Sequence, residues 1–294
     1  ILANLIGTVQ TVTPQQILSL VTELNTALQQ KEVQVYMHDA TVQNQWQQFG
    51  WTGEVAKAAP GQDYVMVVNA NVGGGKSDVR MVQTMEHEAA VQTDGSVIGT
   101  VIIRRQHTGQ SDEKYYGGDN INYIRTYVPA GSELIDAGGF VYPAEESFLV
   151  PEKWYKDDAD LVRYEQEQGV HVGSGTRITS EFGKTAFGNW VVTKAGETSE
   201  VWFKYKLPFK VLGPQKVAGT ATDTLGNDDA VSRYSLLWQK QSGSEPVIRT
   251  QVIYPTGWRP VWRLNDEVEL RANGATYHGN LTMDQMVGVV MKRF

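Results

Sequence analysis

The stretch from Gly188 to Pro208 constrains the fold of this chain more than any other. It contains two apolar-rich runs joined by a turn at residues 194–198, and a proline ends the second run. In the second run apolar and polar side chains alternate with a period of two, which is typical of a half-buried antiparallel strand. The pattern predicts a buried face formed by Val201, Phe203, Tyr205 and Leu207. The outward face is formed by Trp202, Lys204 and Lys206. Such a hairpin favours an immunoglobulin-like β-sandwich.

Composition and charge narrow the class of protein. Of the 294 residues 41% are hydrophobic and 20% charged, which is typical of a globular chain. The 29 glycines favour a loop-rich β fold over a helical bundle. The net charge of -7 argues against nucleic acid or an anionic membrane surface as the main partner, because phosphate binding requires a basic surface.

The chain contains no cysteine, which excludes disulfides, thiolate catalysis and cysteine-ligated zinc. No stretch reaches the ~18 apolar residues of a membrane span, and the sequence contains no signal peptide. The chain begins at Ile1, so we expect a processed product or a fragment whose targeting information lies elsewhere.

The first 76 residues predict a small α/β segment. Thr13, Pro14 and Gln16 are the cap, first turn and capping-box residues of a helix over 13–30. A strand is predicted over Val33–Met37, and a second helix is predicted to begin after Asp39 and to end at Gly50. The first helix has an apolar stripe, which consists of Ile17, Leu20, Val21, Leu24 and Leu28.

The remainder is predicted to be mainly β. We expect an immunoglobulin-like β-sandwich over 77–212 with a polar insertion at 143–175, a linker at 213–230 and a smaller β module over 230–294. Asp94-Gly95 is the strongest hairpin signal. Strands are predicted over 63–69, 79–91, 97–105, 121–128, 134–142, 176–207, 234–239, 247–254, 267–271, 276–281 and 286–291.

No complete catalytic motif is present in the sequence. Glu86-His87-Glu88 is predicted on a strand, which places the two carboxylates on one face and the imidazole on the other, so they cannot chelate one metal ion together. No cofactor is expected, with calcium as the alternative. The candidate calcium ligands are Asp223, Asn227, Asp228 and Asp229 in one loop and Asp157, Asp158 and Asp160 in another.

Four of the eight tryptophans are candidate contacts for a ligand or partner. Trp46 and Trp51 flank the end of the second predicted helix, and Trp258 and Trp262 flank Arg259-Pro260 in a predicted loop. Such side chains stack on sugars when they are exposed, but packing within the protein is the commoner role.

Several segments, taken in order, resemble the C-terminal half of the bacterial domain-of-unknown-function family 4012. They are residues 30–36 with Gln45 and 50–55, residues 63–71 with 73–74 and Lys76, residues 123–129, residues 183–188, residues 196–198, and residues 234–236 with 240–243. The insertion at 143–175 is longer than is usual in that family.

The resemblance implies an outward-facing bacterial protein, anchored to the cytoplasmic membrane by a segment that precedes Ile1. It further implies an upstream region similar to cell-wall polymer ligases. It assigns no catalytic residue to this chain, because the family has no established activity.

Three functions are compatible with these observations. The leading hypothesis is a non-catalytic, extracellular envelope protein whose β modules act as spacers or interaction domains. The second is an accessory region of an envelope enzyme that binds a glycan or another polymer. The third is a self-assembling lattice or filament subunit, because exposed sheet edges can pair with strands of neighbouring copies.

Overall fold

The computed structural model describes residues 13–73, 75–212 and 231–294. Strands account for 47% of the residues and helices for 14%, and the strands form two mixed sheets that do not close into a barrel. The prediction of a mainly β protein is therefore confirmed. The predicted linker at 213–230 falls outside the described residues.

The part of the chain described contains three α-helices, α1 Pro14–Gln29, α2 Ala40–Gln48 and α3 Ala159–Tyr164. Both predicted N-terminal helices are confirmed with their caps. The amide of Thr13 donates to Gln16 Oε1 over 2.8 Å, and Asp39 Oδ1 accepts hydrogen bonds from the first turn of α2. Gly50 follows α2 with a φ of 74°, a conformation that glycine adopts without strain. In these described ranges no helix is long and apolar enough to cross a membrane.

The predicted strand over Val33–Met37 is wrong, because this segment is irregular. It joins no sheet, and its hydrogen bond to a distant main chain runs from the Val35 amide to the Trp51 carbonyl over 2.9 Å. The apolar stripe of α1 is also largely uncovered. Leu28 is buried, whereas Ile17, Leu20, Val21 and Leu24 are each about half exposed.

The described residues contain fifteen strands. They are β1 Asp63–Asn71, β2 Met81–Val91, β3 Ser96–His107, β4 Asn120–Pro129, β5 Glu133–Gly138, β6 Gln166–His171, β7 Thr176–Glu181, β8 Lys184–Thr193, β9 Thr198–Lys210, β10 Val231–Gln239, β11 Val247–Ile253, β12 Trp258–Arg263, β13 Glu269–Arg271, β14 Gly274–Asn280 and β15 Gln285–Arg293.

The strands form an eight-stranded sheet A and a seven-stranded sheet B. The order in sheet A is β12-β15-β10-β1-β4-β8-β7-β6, and the order in sheet B is β13-β14-β11-β2-β3-β9-β5. Near the centre of each sheet two strands are parallel, β1 beside β10 and β2 beside β11. One hydrophobic core contains side chains of both sheets, so the sheets pack face to face.

Most of the predicted strands are confirmed, including the β2–β3 hairpin at Asp94-Gly95, in which Val91 lies opposite Val97. The predicted loop around Trp258 and Trp262 is wrong, because both residues belong to β12. This strand lies at an edge of sheet A, where Pro260 is tolerated since one side of the strand needs no hydrogen-bond donor.

The immunoglobulin-like form of the sandwich is not confirmed. Immunoglobulin sandwiches have seven to nine antiparallel strands, whereas this fold has a parallel pair in each sheet. The sheets also do not follow the predicted boundaries. β1, from the predicted N-terminal segment, lies between β10 of the predicted C-terminal module and β4 of the predicted sandwich.

Candidate functional site

A cavity of about 740 Å³ lies on the outer face of sheet B. Strands β2, β3, β11, β13 and β14 surround it. We call it the sheet B groove, and its lining residues are Glu86, His87, Glu88, Thr100, Ile102, Arg249, Thr250, Gln251, Glu267, Glu269, Arg271, Thr276, Tyr277 and His278.

The alternation of β2 determines which side chains reach the groove. Met85, His87 and Ala89 are buried, whereas Glu86 is half-buried and Glu88 is exposed. The prediction that Glu86 and Glu88 share one face, with His87 on the other, is therefore confirmed. The side chain of His87 is fully buried, so His87 lines the groove through its main chain.

Cross-strand pairing aligns the outward side chains in rows across the sheet. One row runs from Ile102 through Glu86 and Arg249 to His278, and Trp202 of β9 continues it beyond Ile102. A second row runs through Thr100, Glu88, Gln251, Thr276 and Glu269. The groove floor thus presents carboxylate, guanidinium, imidazole, amide and hydroxyl groups at the spacing between strands.

Some of these charges are already paired. Arg104 Nη1 donates to Glu86 Oε1 over 2.5 Å, and Arg271 Nη2 donates to Glu269 Oε2 over 2.5 Å. Hydrogen bonds to Glu86 and Glu200 raise the pKa of Arg104, which therefore remains a cation.

Other polar side chains of the groove have no partner within the part of the chain that the structure describes. They are Glu88, Arg249, Gln251, Glu267 and His278, whose side chains make neither a hydrogen bond nor an ion pair there. These groups have hydrogen-bonding capacity available for a ligand.

A buried polar network beneath the groove holds β2 in this orientation. Asp63 Oδ2 of sheet A accepts a 2.5 Å hydrogen bond from Tyr234 OH and lies 3.4 Å from His87 Nε2 of sheet B. The hydroxyl of Tyr205 lies 3.3 Å from the same nitrogen. Burial raises the pKa of Asp63 to about 7 and lowers the pKa of His87 to about 3. The network thus joins the two sheets with His87 neutral at neutral pH.

The structure does not bring the four candidate tryptophans together. Trp46 of α2 and Trp51, which follows the helix, lie side by side with ring centroids 5.3 Å apart, and both are half-buried. Trp258 is buried in the core against Tyr254, whereas Trp262 is half exposed on the edge strand β12. None of the four lines the sheet B groove.

The candidate calcium ligands are placed only in part. Asp158 caps α3 by accepting from the amides of Asp160 and Leu161, and Asp160 pairs with Arg163. Among the described residues no three acidic or histidine side chains are placed to hold a metal ion. The other set, at 223–229, lies outside those residues, so the calcium alternative stays a prediction.

Sequence reasoning placed Glu86 and Glu88 on one face of a strand, but only to exclude a shared metal ion, and it did not predict the groove. Polar and apolar side chains alternate along β11 and β14, and this pattern indicates from the sequence which of their side chains face outward. What the sequence does not reveal is that β11 pairs with β2, since the two strands lie far apart along the chain.

Comparisons with known proteins leave the family open. No family model and no curated protein matches the chain. Among solved structures, a Legionella pneumophila protein whose name describes it as nutrient-binding is 8% identical, with a TM-score of 0.39, over 78% of this chain and 71% of that one.

An M1 zinc metallopeptidase from Deinococcus radiodurans is 10% identical, with a TM-score of 0.26. The match covers 72% of this chain and 42% of the peptidase, so it spans less than half of that enzyme. Likenesses at these scores carry no argument about function.

Proposed function

We propose that this chain is a non-catalytic binding module of the bacterial cell surface and that the sheet B groove is its binding surface. Its role is to hold a polymer or partner of the envelope. The ordered resemblance to the family described above supports the surface location, with an anchor in an upstream segment.

One observation carries the proposal. The sheet B groove is lined by polar side chains, of which those of Arg249, Glu88 and Glu267 make neither a hydrogen bond nor an ion pair within the described residues. A binding site characteristically provides a concave surface with a few polar groups that converge on the ligand. Glu88 and Arg249 project from paired strands, so their backbone positions are fixed before a ligand arrives, which lowers the entropic cost of binding.

The test is co-sedimentation of the purified chain with bacterial cell-wall sacculi, compared between two variants. Arg249→Ala removes the unpaired guanidinium of the groove. Arg233→Ala removes an exposed arginine without a described partner on β10 of sheet A, and serves as the matched control. We expect Arg249→Ala to weaken binding at least about tenfold, because a charge-assisted hydrogen bond contributes ~1.5–3 kcal/mol. Arg233→Ala should bind like the parent.

Equal binding by the two variants would place the binding surface elsewhere. The same incubation tests the non-catalytic part of the proposal, because soluble wall fragments that accumulate in proportion to the protein would contradict it. Retention of the chain with the sacculi, without such fragments, is the expected result.

A further inference from the structure

Two smaller cavities lie near the sheet B groove. A cavity of about 140 Å³ shares Glu86 and Arg249 with the groove and extends to Val247. A third cavity, of about 410 Å³, also includes Val247 and lies at the end of the two sheets. We call this third cavity the end pocket. The cavity of about 140 Å³ shares lining residues with both of the others, so the three cavities are neighbours along the parallel strands β2 and β11, and we call the three together the track.

The length of this track suits a polymer. It follows β2 from Met81 in the end pocket to Glu88 in the groove. At ~3.3 Å per residue this distance is about 23 Å. A single small molecule would occupy one cavity, whereas an extended chain can contact all three.

The end pocket contains a buried cation. Arg105 is 2% exposed; its Nη1 donates to the side-chain oxygens of Asn69 and Gln83, and its Nη2 donates to Asn120 Oδ1 over 2.9 Å. These acceptors are neutral amides. The nearest described carboxylate is Asp78, 3.6 Å from Nη2.

The walls of the end pocket have both polar and apolar parts. Ser244 and Glu245 contribute a hydroxyl and a carboxylate, and Gln241 is fixed by two hydrogen bonds to the main chain of Asn69. The apolar part consists of Met81, Val82, Pro246 and Val247. A sugar ring has the same two kinds of surface, hydroxyl groups around its rim and C–H groups on its faces.

Charge and strand order discriminate among polymers. Six carboxylates and four guanidinium groups line the three cavities, so the track is net negative and repels polyanions. Peptides commonly bind by adding a strand to a sheet edge. β2 and β11 each have paired strands on both sides, so they offer no edge to a peptide.

We infer that the track binds a linear, uncharged, hydroxyl-rich glycan along β2 and β11, with one sugar unit in the end pocket. The inference rests on the proposed function and names the ligand class for the same groove.

The test is isothermal titration of the full chain with β-1,4-linked N-acetylglucosamine oligomers of two, four and six units. We expect the hexamer to bind at least about tenfold more tightly than the dimer. Val247→Phe places a larger side chain at the junction of the cavities and should reduce the hexamer affinity to that of the dimer, which should itself be unchanged. Val82→Phe in the end pocket should have the same effect.

Val170→Phe is the matched control, because Val170 lies on β6 of sheet A and is 50% exposed, as is Val82. It should bind every oligomer like the parent. Thermal unfolding of each variant separates lost binding from lost folding.

The other outcomes overturn the inference in distinguishable ways. If all lengths bind equally, the track is not continuous, although loss of binding in Arg249→Ala would still support the groove. The glycan assignment is wrong if no oligomer binds while the chain still sediments with sacculi. It is also wrong if an extended lysine-containing peptide of matched length binds instead. In both cases the proposal of a binding module stands. If neither sacculi nor oligomers bind, both proposals fail.

Discussion

At the scale of single residues, the pair Asp63 and His87 is the least expected feature, because two ionisable groups lie fully buried between apolar sheets. Burying a charge is costly, so each group shifts its pKa toward the neutral form. The pKa of Asp63 rises to about 7, and that of His87 falls to about 3. At mildly acidic pH the Asp63 carboxyl is therefore protonated, the His87 imidazole is not, and both groups are neutral.

These shifts have opposite consequences for stability. The folded state holds the Asp63 proton that the unfolded chain releases above pH 3.8, so this stabilisation is lost as the pH rises to about 7. The unfolded chain protonates His87 below pH 6.5 and the folded state does not, so the His87 contribution is lost as the pH falls toward about 3. Between these limits the two effects largely cancel.

We predict that substituting Asp63 or His87 alone separates their two contributions to the pH dependence of stability. The difference in the free energy of unfolding between Asp63→Asn and the parent should increase as the pH rises from about 4 to 7. For His87→Gln the same difference should decrease as the pH rises from about 3 to 6.5. The slope should reach up to about 1.4 kcal/mol per pH unit, the value for one proton. Urea titrations at several pH values measure it, and parallel profiles for all three proteins would contradict the assignment.

At the scale of elements, β9 shows how well an alternating strand can be predicted. All four residues of its predicted inner face are buried: Val201, Phe203, Tyr205 and Leu207. The strand Val33–Met37 was predicted on weaker grounds and is wrong, because alternation over a few residues does not provide a partner strand. β12 was missed because Pro260 and a register shift after it interrupt the period-two pattern.

The two faces of β9 should respond differently to truncation. Phe203→Ala should reduce the free energy of unfolding by about 3–5 kcal/mol, since it leaves a cavity beside Phe187 and Phe140. Lys204→Ala, one residue away on the outer face, should change it by less than about 0.5 kcal/mol. Chemical denaturation measures both, and a large loss in Lys204→Ala would show that the outer face is covered.

The groove was harder to predict than the strands that form it. Alternation within β2 places Glu86 and Glu88 outward, but it does not say which strand lies beside them. Arg249 and His278 become neighbours of Glu86 only through long-range pairing. A tryptophan can be recognised in a sequence as a single residue, whereas the groove is formed by rows of side chains that cross several strands.

At the scale of the whole molecule, the central parallel pairs join the two ends of the chain. β1 and β2 belong to the first half, and their partners β10 and β11 follow the residues 213–230 that were predicted as a linker. The core likewise combines Val65 and Phe203 with Trp238 and Val287.

We therefore predict that neither the part before residues 213–230 nor the part after them folds alone. Residues 1–212 and 231–294, produced separately, should lack a cooperative urea transition by circular dichroism, and mixing them should restore one. Independent transitions of the separate fragments would instead support the modular division that the sequence suggests.

The same pairing sets the order of events while the chain is being made. When β1 and β2 leave the ribosome, each can find its antiparallel partner soon afterwards, but the opposite side of each strand stays open until β10 and β11 appear. At ~5–20 residues per second that interval is on the order of ten seconds or more. During this time one side of each strand presents unpaired main-chain groups, which is the feature that makes an exposed strand edge prone to aggregation.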